Sequence, residues 1–327
     1  MAPSLEEHFV PAEPQNGNIQ KAHVLKTWQV GEYNDEEHAG TTEDLIIGEN
    51  GYKYRMLDGR AMPPFVTPQR YELSRTLRLR DTDICYTSYP KSGSTWLSYI
   101  LVLLTNNKGS SLRDSYHWVE CSWLYPRSEE YLETAPNPRI FASHMPIDMA
   151  VGGDVAKSRS KYVYIARNPK DVVVSYFHFE SRKSWAGNYT GDWDHWFKMF
   201  VQGKLQRGDW FDHVLGWWNN RHLPNVHFMT YEGLKRDTDG ELRKLAEFIG
   251  VELTDEKLEE VKSQSDFGTM KKSEFSGLGD VKELGEAFFR KGKVGSWKEQ
   301  FTVQQNELFD QLWAERVGDS GLTFDFN

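Results

Sequence analysis

Residues 83–104 constrain the fold of this chain more than any other stretch. Asp83-Ile84-Cys85-Tyr86-Thr87 is an apolar run that predicts a strand, and Leu97-Ser98-Tyr99-Ile100-Leu101-Val102-Leu103-Leu104 predicts an apolar helix. Between them lies the tight loop Ser88-Tyr89-Pro90-Lys91-Ser92-Gly93-Ser94-Thr95-Trp96. Gly93 lets the backbone approach an anion closely. The unsatisfied N–H groups and dipole of the helix start attract negative charge, and Lys91 adds a full positive one. Together they describe a phosphate cradle. Lysine precedes glycine and the Gly-x4-Gly-Lys spacing is absent, which argues against a Walker-type nucleotide triphosphatase.

The alternation of strand and helix continues along the chain. Strands are expected at 83–88, 139–143, 161–166 and 226–230, and helices at 95–106, 169–182, 192–202, 209–221, 238–249, 254–263 and 303–316. Gly250 follows the last of the apolar positions of 238–249 as a C-cap signal. The pattern predicts an α/β fold: one domain with a central parallel sheet flanked by helices. No Pro/Gly/Ser-rich linker divides it, so 46–327 reads as one domain. Residues 1–45 are polar and aperiodic and read as a partly disordered extension.

Charge narrows the function. There are 39 Lys and Arg against 48 Asp and Glu, a net charge of −9. General electrostatic attraction to nucleic acid or an anionic membrane is therefore disfavoured. An anionic cofactor must be held by cations placed locally, and Lys91, Arg167, Arg290, Lys291 and Lys293 are the candidates. Cys85 and Cys121 are too few for a disulfide scaffold. No apolar run reaches the roughly 18 residues that span a bilayer. The first residues lack the layout of a signal peptide, so a soluble, cytoplasmic protein is expected. No cluster with metal-ligand spacing stands out, and no metal is expected.

Three segments give a closer reading. Tyr89-Pro90-Lys91-Ser92-Gly93-Ser94-Thr95-Trp96 resembles the 5′-phosphosulfate loop of the cytosolic sulfotransferases. Tyr164-Ile165-Ala166-Arg167-Asn168-Pro169-Lys170-Asp171-Val172-Val173-Val174-Ser175-Tyr176 is similar to that family's 3′-phosphate segment. Arg290-Lys291-Gly292-Lys293-Val294-Gly295-Ser296-Trp297-Lys298-Glu299-Gln300-Phe301-Thr302 is similar to its C-terminal signature. The motifs occur in the family's order and span about residues 84–307.

The resemblance implies a sulfotransferase that uses 3′-phosphoadenosine 5′-phosphosulfate (PAPS), releases 3′-phosphoadenosine 5′-phosphate (PAP) and transfers its sulfuryl group by in-line displacement. It implies that Lys91, Ser92, Gly93, Ser94, Thr95 and Trp96 hold the 5′ end. Arg167, Ser175, Arg290, Lys291 and Gly292 would hold the 3′-phosphate. Trp96, Tyr231, Phe267 and Met270 would enclose the adenine, while Asp266 stands where a hydroxyl residue is often found. Without the resemblance, Arg167 reads as a surface ion-pair partner of Asp171.

His144 follows the strand Ile140-Phe141-Ala142-Ser143, at the edge where open α/β sheets bind ligands. The resemblance makes it the general base, with Lys91 stabilising the leaving phosphate and Ser175 restraining Lys91. The phenol-preferring branch often carries lysine two residues before that histidine. This chain has Ala142, which favours alcohol acceptors. The acceptor is expected to be small, lipophilic and hydroxyl-bearing (an alcohol, sterol or phenol), with Phe65, Trp118, Phe179 and residues near Val281 and Leu284 around it. An amine acceptor, or a non-catalytic protein that binds the nucleotide or a lipophile, are the alternatives. Residues 298–307 fit the family's dimer motif and imply a homodimer.

Overall fold

Four parallel strands position everything that follows. The structure, a computed structural model, describes residues 44–106, 112, 115–121, 128–181, 188–273 and 289–327, with the backbone of the paired strands β1 (Glu7–Val10) and β2 (His23–Lys26). The central sheet comprises β6 (Ile84–Thr87), β7 (Ile140–Ser143), β8 (Lys161–Ala166) and β9 (Val226–Thr230), in the order β7-β6-β8-β9. Ile84 pairs with both Ile140 and Lys161, and Thr87 with both Ser143 and Tyr164. The strands therefore end together along one edge. The order reverses at β6, and open α/β sheets bind their ligands at such a switch point.

Alternation within the strands fixes two buried faces. Ile84, Tyr86, Ile140, Ala142, Val163 and Ile165 pack into one cluster, with α2 (Ser94–Thr105) and the later helix Thr238–Ile249. Cys85, Phe141, Tyr162, Tyr164 and Ala166 face the other way, against α4 (Pro169–Glu180), α5 (Trp193–Val201) and α6 (Trp210–Asn219). A sheet covered on both faces leaves little room for polar alternation, hence the mostly apolar strands β6, β7 and β8. Leu97 to Leu104 in α2 are all buried. Each large apolar side chain of this kind contributes about 1.5–3 kcal/mol on burial, so α2 holds the cradle as a core element. Asp83 and Arg139, both buried, form an ion pair where β6 and β7 begin, and Arg139 Nε–H donates to Asp83 Oδ1 at 2.9 Å. Among the described residues, no helix is long and apolar enough to cross a membrane.

The expected strands are present within a residue of their predicted bounds, and the expected helices within two. Several short elements carried too few residues for a period to appear. They are β3 (Ile46–Ile47), β4 (Lys53–Leu57), β5 (Arg60–Met62), α3 (Glu129–Thr134), α7 (Tyr231–Arg236) and α10 (Phe267–Lys272). β4 and β5 form a hairpin on Asp58-Gly59, both at positive φ, as a tight two-residue hairpin turn requires. The helix that follows is α1 (Pro68–Thr76), capped by the Thr67 hydroxyl. Residues 1–43 lie outside the described residues apart from β1 and β2.

Candidate active site

Each of the four central strands delivers a site residue just past its C-terminal end. Ser88 and the cradle follow β6, His144 follows β7, Arg167 follows β8 and Tyr231 follows β9. In the cradle, Lys91 adopts φ +70° and Gly93 φ +104°. A Cβ on Gly93 would lie 2.9 Å from Tyr231 Cδ2, so the loop needs glycine for space as well as for torsion. Lys91 Nζ sits 4.1 Å from the centre of the Phe179 ring. Burial, with Arg167 and Arg290 adding repulsion and Glu180 opposing it, lowers the Lys91 ammonium to about 7. Burial likewise raises the Glu180 carboxyl well above the usual carboxylate range.

Arg167 is bound into a second polar layer. Its Nη2 donates to Lys293 O at 2.9 Å and pairs with Asp171 Oδ2 at 3.4 Å, while its Nε has no hydrogen-bond partner. The pairing with Asp171 that the residues alone suggested is thus real, but it is buried rather than a surface contact. Asp171 also accepts from the backbone N–H groups of Gly295 and Trp297, each at 2.9 Å, and from the Ser296 hydroxyl at 3.0 Å. Those bonds fasten the C-terminal segment to the start of α4. Arg290 donates to Ser296 Oγ at 3.1 Å, and Gly292 packs so closely that a Cβ would lie 2.5 Å from Phe267 Cδ2. Lys291 pairs with Glu299 outside this layer.

Trp96 and Tyr231 meet edge to face at 5.5 Å, and Phe267 and Met270 line the same region. Lys235 Nζ lies 5.2 Å from the Trp96 ring centre. Asp266 is occupied as a helix cap, accepting from the N–H groups of Gly268 and Thr269. That accounts for a carboxylate at its position.

His144 Nδ1 lies 2.8 Å from Ser88 O, an acceptor only, so Nδ1 carries the proton and Nε2 the lone pair. Glu120 Oε1 accepts from the His144 N–H at 3.1 Å and the Ser143 hydroxyl at 3.0 Å, fixing the turn after β7. His213 bonds to the His144 carbonyl, and Trp118 packs edge-on against the His144 ring at 5.6 Å. Burial, then the nearby Arg207 charge, hold the imidazole down at about 3. It is neutral through the physiological range.

One cavity of about 1170 Å³, including its open mouth, joins these groups. Lys91, Gly93, Ser94, Thr95, Trp96, His144, Arg167, Ser175 and Tyr231 line it. So do Phe267, Met270, Arg290, Lys291, Gly292 and the expected acceptor residues Phe65, Trp118 and Phe179. Ser92 is fully buried and is not among the residues that line it. Val281 and Leu284 lie outside the described residues. Sequence reasoning missed Glu180, Arg207 and Lys235 as cavity residues. Glu180 had a usable signal, a charge five residues after Ser175 at the end of a helix whose second half is mostly apolar. Arg207 had none, because it sits in a loop.

A family model described as the sulfotransferase domain matches residues 81–321. The rat sulfotransferase 1C2 is 32% identical over 272 residues, covering 79% of this chain and 90% of that one. The rat sulfotransferase 2B1 is 35% identical over 261 residues, covering 77% and 76%. Among solved structures, mouse sulfotransferase SULT7A1 complexed with PAP superposes with a TM-score of 0.71 at 28% identity, covering 82% of this chain and 95% of that one. The fold and the site thus define an α/β transferase with an anion cradle at its switch point. The chain belongs to the sulfotransferase family.

Proposed function

We propose that this enzyme moves a sulfuryl group from PAPS to the hydroxyl of a small lipophilic acceptor. The observation that carries the reading is the meeting, in one cavity, of two cation-bearing loops and a buried neutral histidine. The residues fit the nucleotide. Gly93 and Gly292 occupy places where no side chain could stand, and Arg167 Nε and Trp96 Nε1 are buried without partners. When bound, PAPS would supply an activated sulfuryl group whose sulfur an acceptor hydroxyl attacks in line, with PAP as the leaving group.

The roles follow from chemistry. Lys91, Ser94 and Thr95 hold the 5′ end, and Lys91 neutralises charge that grows on the leaving phosphate. Arg167, Ser175, Arg290 and Gly292 hold the 3′-phosphate. Trp96, Tyr231, Phe267 and Met270 enclose the base. His144 Nε2 takes the proton of the acceptor hydroxyl. Arg207, Lys91 and His213 all disfavour protonated His144, so bound anionic charge would relieve that repulsion and make it a better base. The aromatic walls Phe65, Trp118 and Phe179 suit an apolar acceptor body.

The test is turnover of labelled PAPS with a panel of alcohols, sterols, phenols and amines, read by product mass. A sulfated hydroxyl product is expected. Sulfated amines alone would overturn the acceptor class. Tight PAP binding without product from any acceptor would overturn catalysis in favour of a binding role.

The same reading includes a homodimer through 298–307. Thr302 caps α11 (Val303–Val317) with a capping box, and Val303 stands 75% exposed beside it. Sedimentation velocity should show a dimer, with Val303→Glu shifting it to monomer. A monomeric wild type would remove this part of the reading.

A further inference from the structure

Arg207 carries a charge that the reaction outlined above leaves unused. It stands in the loop between α5 and α6, lines the cavity and is 1% exposed. Its backbone lies at φ +74°, uncommon for a residue other than glycine. The fold holds it there: its N–H donates to Ala61 O at 2.7 Å. The neighbouring Gln206 N–H donates to the Tyr52 hydroxyl at 3.0 Å, and Gln206 Nε2 to Lys53 O at 2.8 Å.

The guanidinium is only half satisfied. Nη1 meets the sulfurs of Met145 at 3.2 Å and Met62 at 3.8 Å, both weak acceptors. Nε and Nη2 are buried without a hydrogen-bond partner, and Arg207 forms no ion pair with a described residue. Glu120 acts on Arg207 through its charge, but no hydrogen bond joins them: its Oε1 accepts from Ser143 and His144, and its Oε2 is buried without a partner. His144 is neutral, and burial keeps the Glu180 carboxyl protonated into the neutral range. Glu120 thus offsets the Arg207 charge through space but leaves Nε and Nη2 unfilled.

The two open nitrogens form one edge of the guanidinium. That edge presents two parallel N–H donors, spaced to meet both oxygens of a carboxylate. A buried cation left unpartnered is unfavourable, and a ligand anion would remove the deficit. Met145, which Arg207 touches, directly follows His144, so carboxylate and hydroxyl would belong to one compact molecule. We propose that Arg207 sets acceptor specificity by receiving the carboxylate of a small hydroxy acid whose hydroxyl lies at His144. This rests on the sulfotransferase reading and names the acceptor class within it.

The test compares kcat/KM for an acid with that for its methyl ester, using para-hydroxyphenylacetate and 6-hydroxyhexanoate as probes, with PAP affinity measured on the same samples. The wild type should favour at least one acid by about tenfold or more, as loss of a charge-assisted contact implies. Arg207→Met should bring that ratio close to one, and Arg207→Lys should retain part of it. A wild-type ratio near one for both pairs, with PAP bound and the esters sulfated, overturns the Arg207 assignment alone. So does a preference that survives in Arg207→Met. Absence of PAP binding in the wild type overturns instead the reading on which it rests.

Discussion

Replacing His144 with asparagine lowers turnover by about 10²–10⁴-fold, the usual contribution of a positioned base, while PAP affinity stays within a few-fold. Asparagine can still donate to the Ser88 carbonyl, which now receives the His144 Nδ1 proton at 2.8 Å. It has no counterpart of the Nε2 lone pair. Steady-state rates with labelled PAPS, beside calorimetry with PAP, separate the two effects. A variant rate equal to wild type would dismiss His144 as the base. The pH profile adds an independent reading. The free-enzyme imidazole is held at about 3 because burial and then Arg207 oppose its charged form. The proposed base is the neutral form, so acidification should not remove it until well below the ordinary value near 6.5. The acid limb of kcat/KM due to His144 should therefore be missing at pH 6.5; a midpoint there would contradict the buried environment.

Lys91→Met should lower kcat by about 10²–10³-fold, the loss seen when one preorganised stabilising group is removed. Methionine keeps an apolar stem beside the Phe179 ring and removes only the charge and its donors. The wild type should also show a pH-dependent affinity for PAP. Lys91 is lowered to about 7 in the free protein, and a nucleotide anion favours its protonated form. Binding then takes up a proton, and affinity falls as pH rises through about 7, by at most about tenfold per pH unit for one group. Loss of the Glu180 proton at higher pH adds negative charge nearby and acts in the same direction. The slope should shrink in Lys91→Met, and an identical slope in both proteins would rule out Lys91 as the titrating contact.

Much of this site was legible because its chemistry is local in sequence. The cradle is one strand, one loop and one helix start, and its requirements for glycine, lysine and a buried helix fall within residues 84–105. The layout of His144 was legible for a similar reason, a residue immediately after an apolar strand. The resemblance supplied the grouping of the rest, since Arg167 and Arg290 lie far apart in the chain. Asp171 shows how the structure does that grouping. The sequence offers it only as an ion-pair partner of Arg167, yet it also accepts three hydrogen bonds from residues 295–297.

Other features had no signal of their own. Lys235 looks like an ordinary surface charge, but it lies over the Trp96 ring. Ser92 lies within the cradle motif, yet it is fully buried. The period of a segment reports which face is buried, and a single charged residue in a loop has no period.

By itself the sequence determined the α/β class, the four parallel strands and the anion cradle. Those depend on apolar periodicity and on glycine torsions, which are properties of neighbouring residues. Only the tertiary structure decided what the charged groups do. Burial and distance set whether Lys91, Glu180, His144 and Arg207 are charged, paired or open, and both quantities arise from elements that meet only when the sheet closes its two faces.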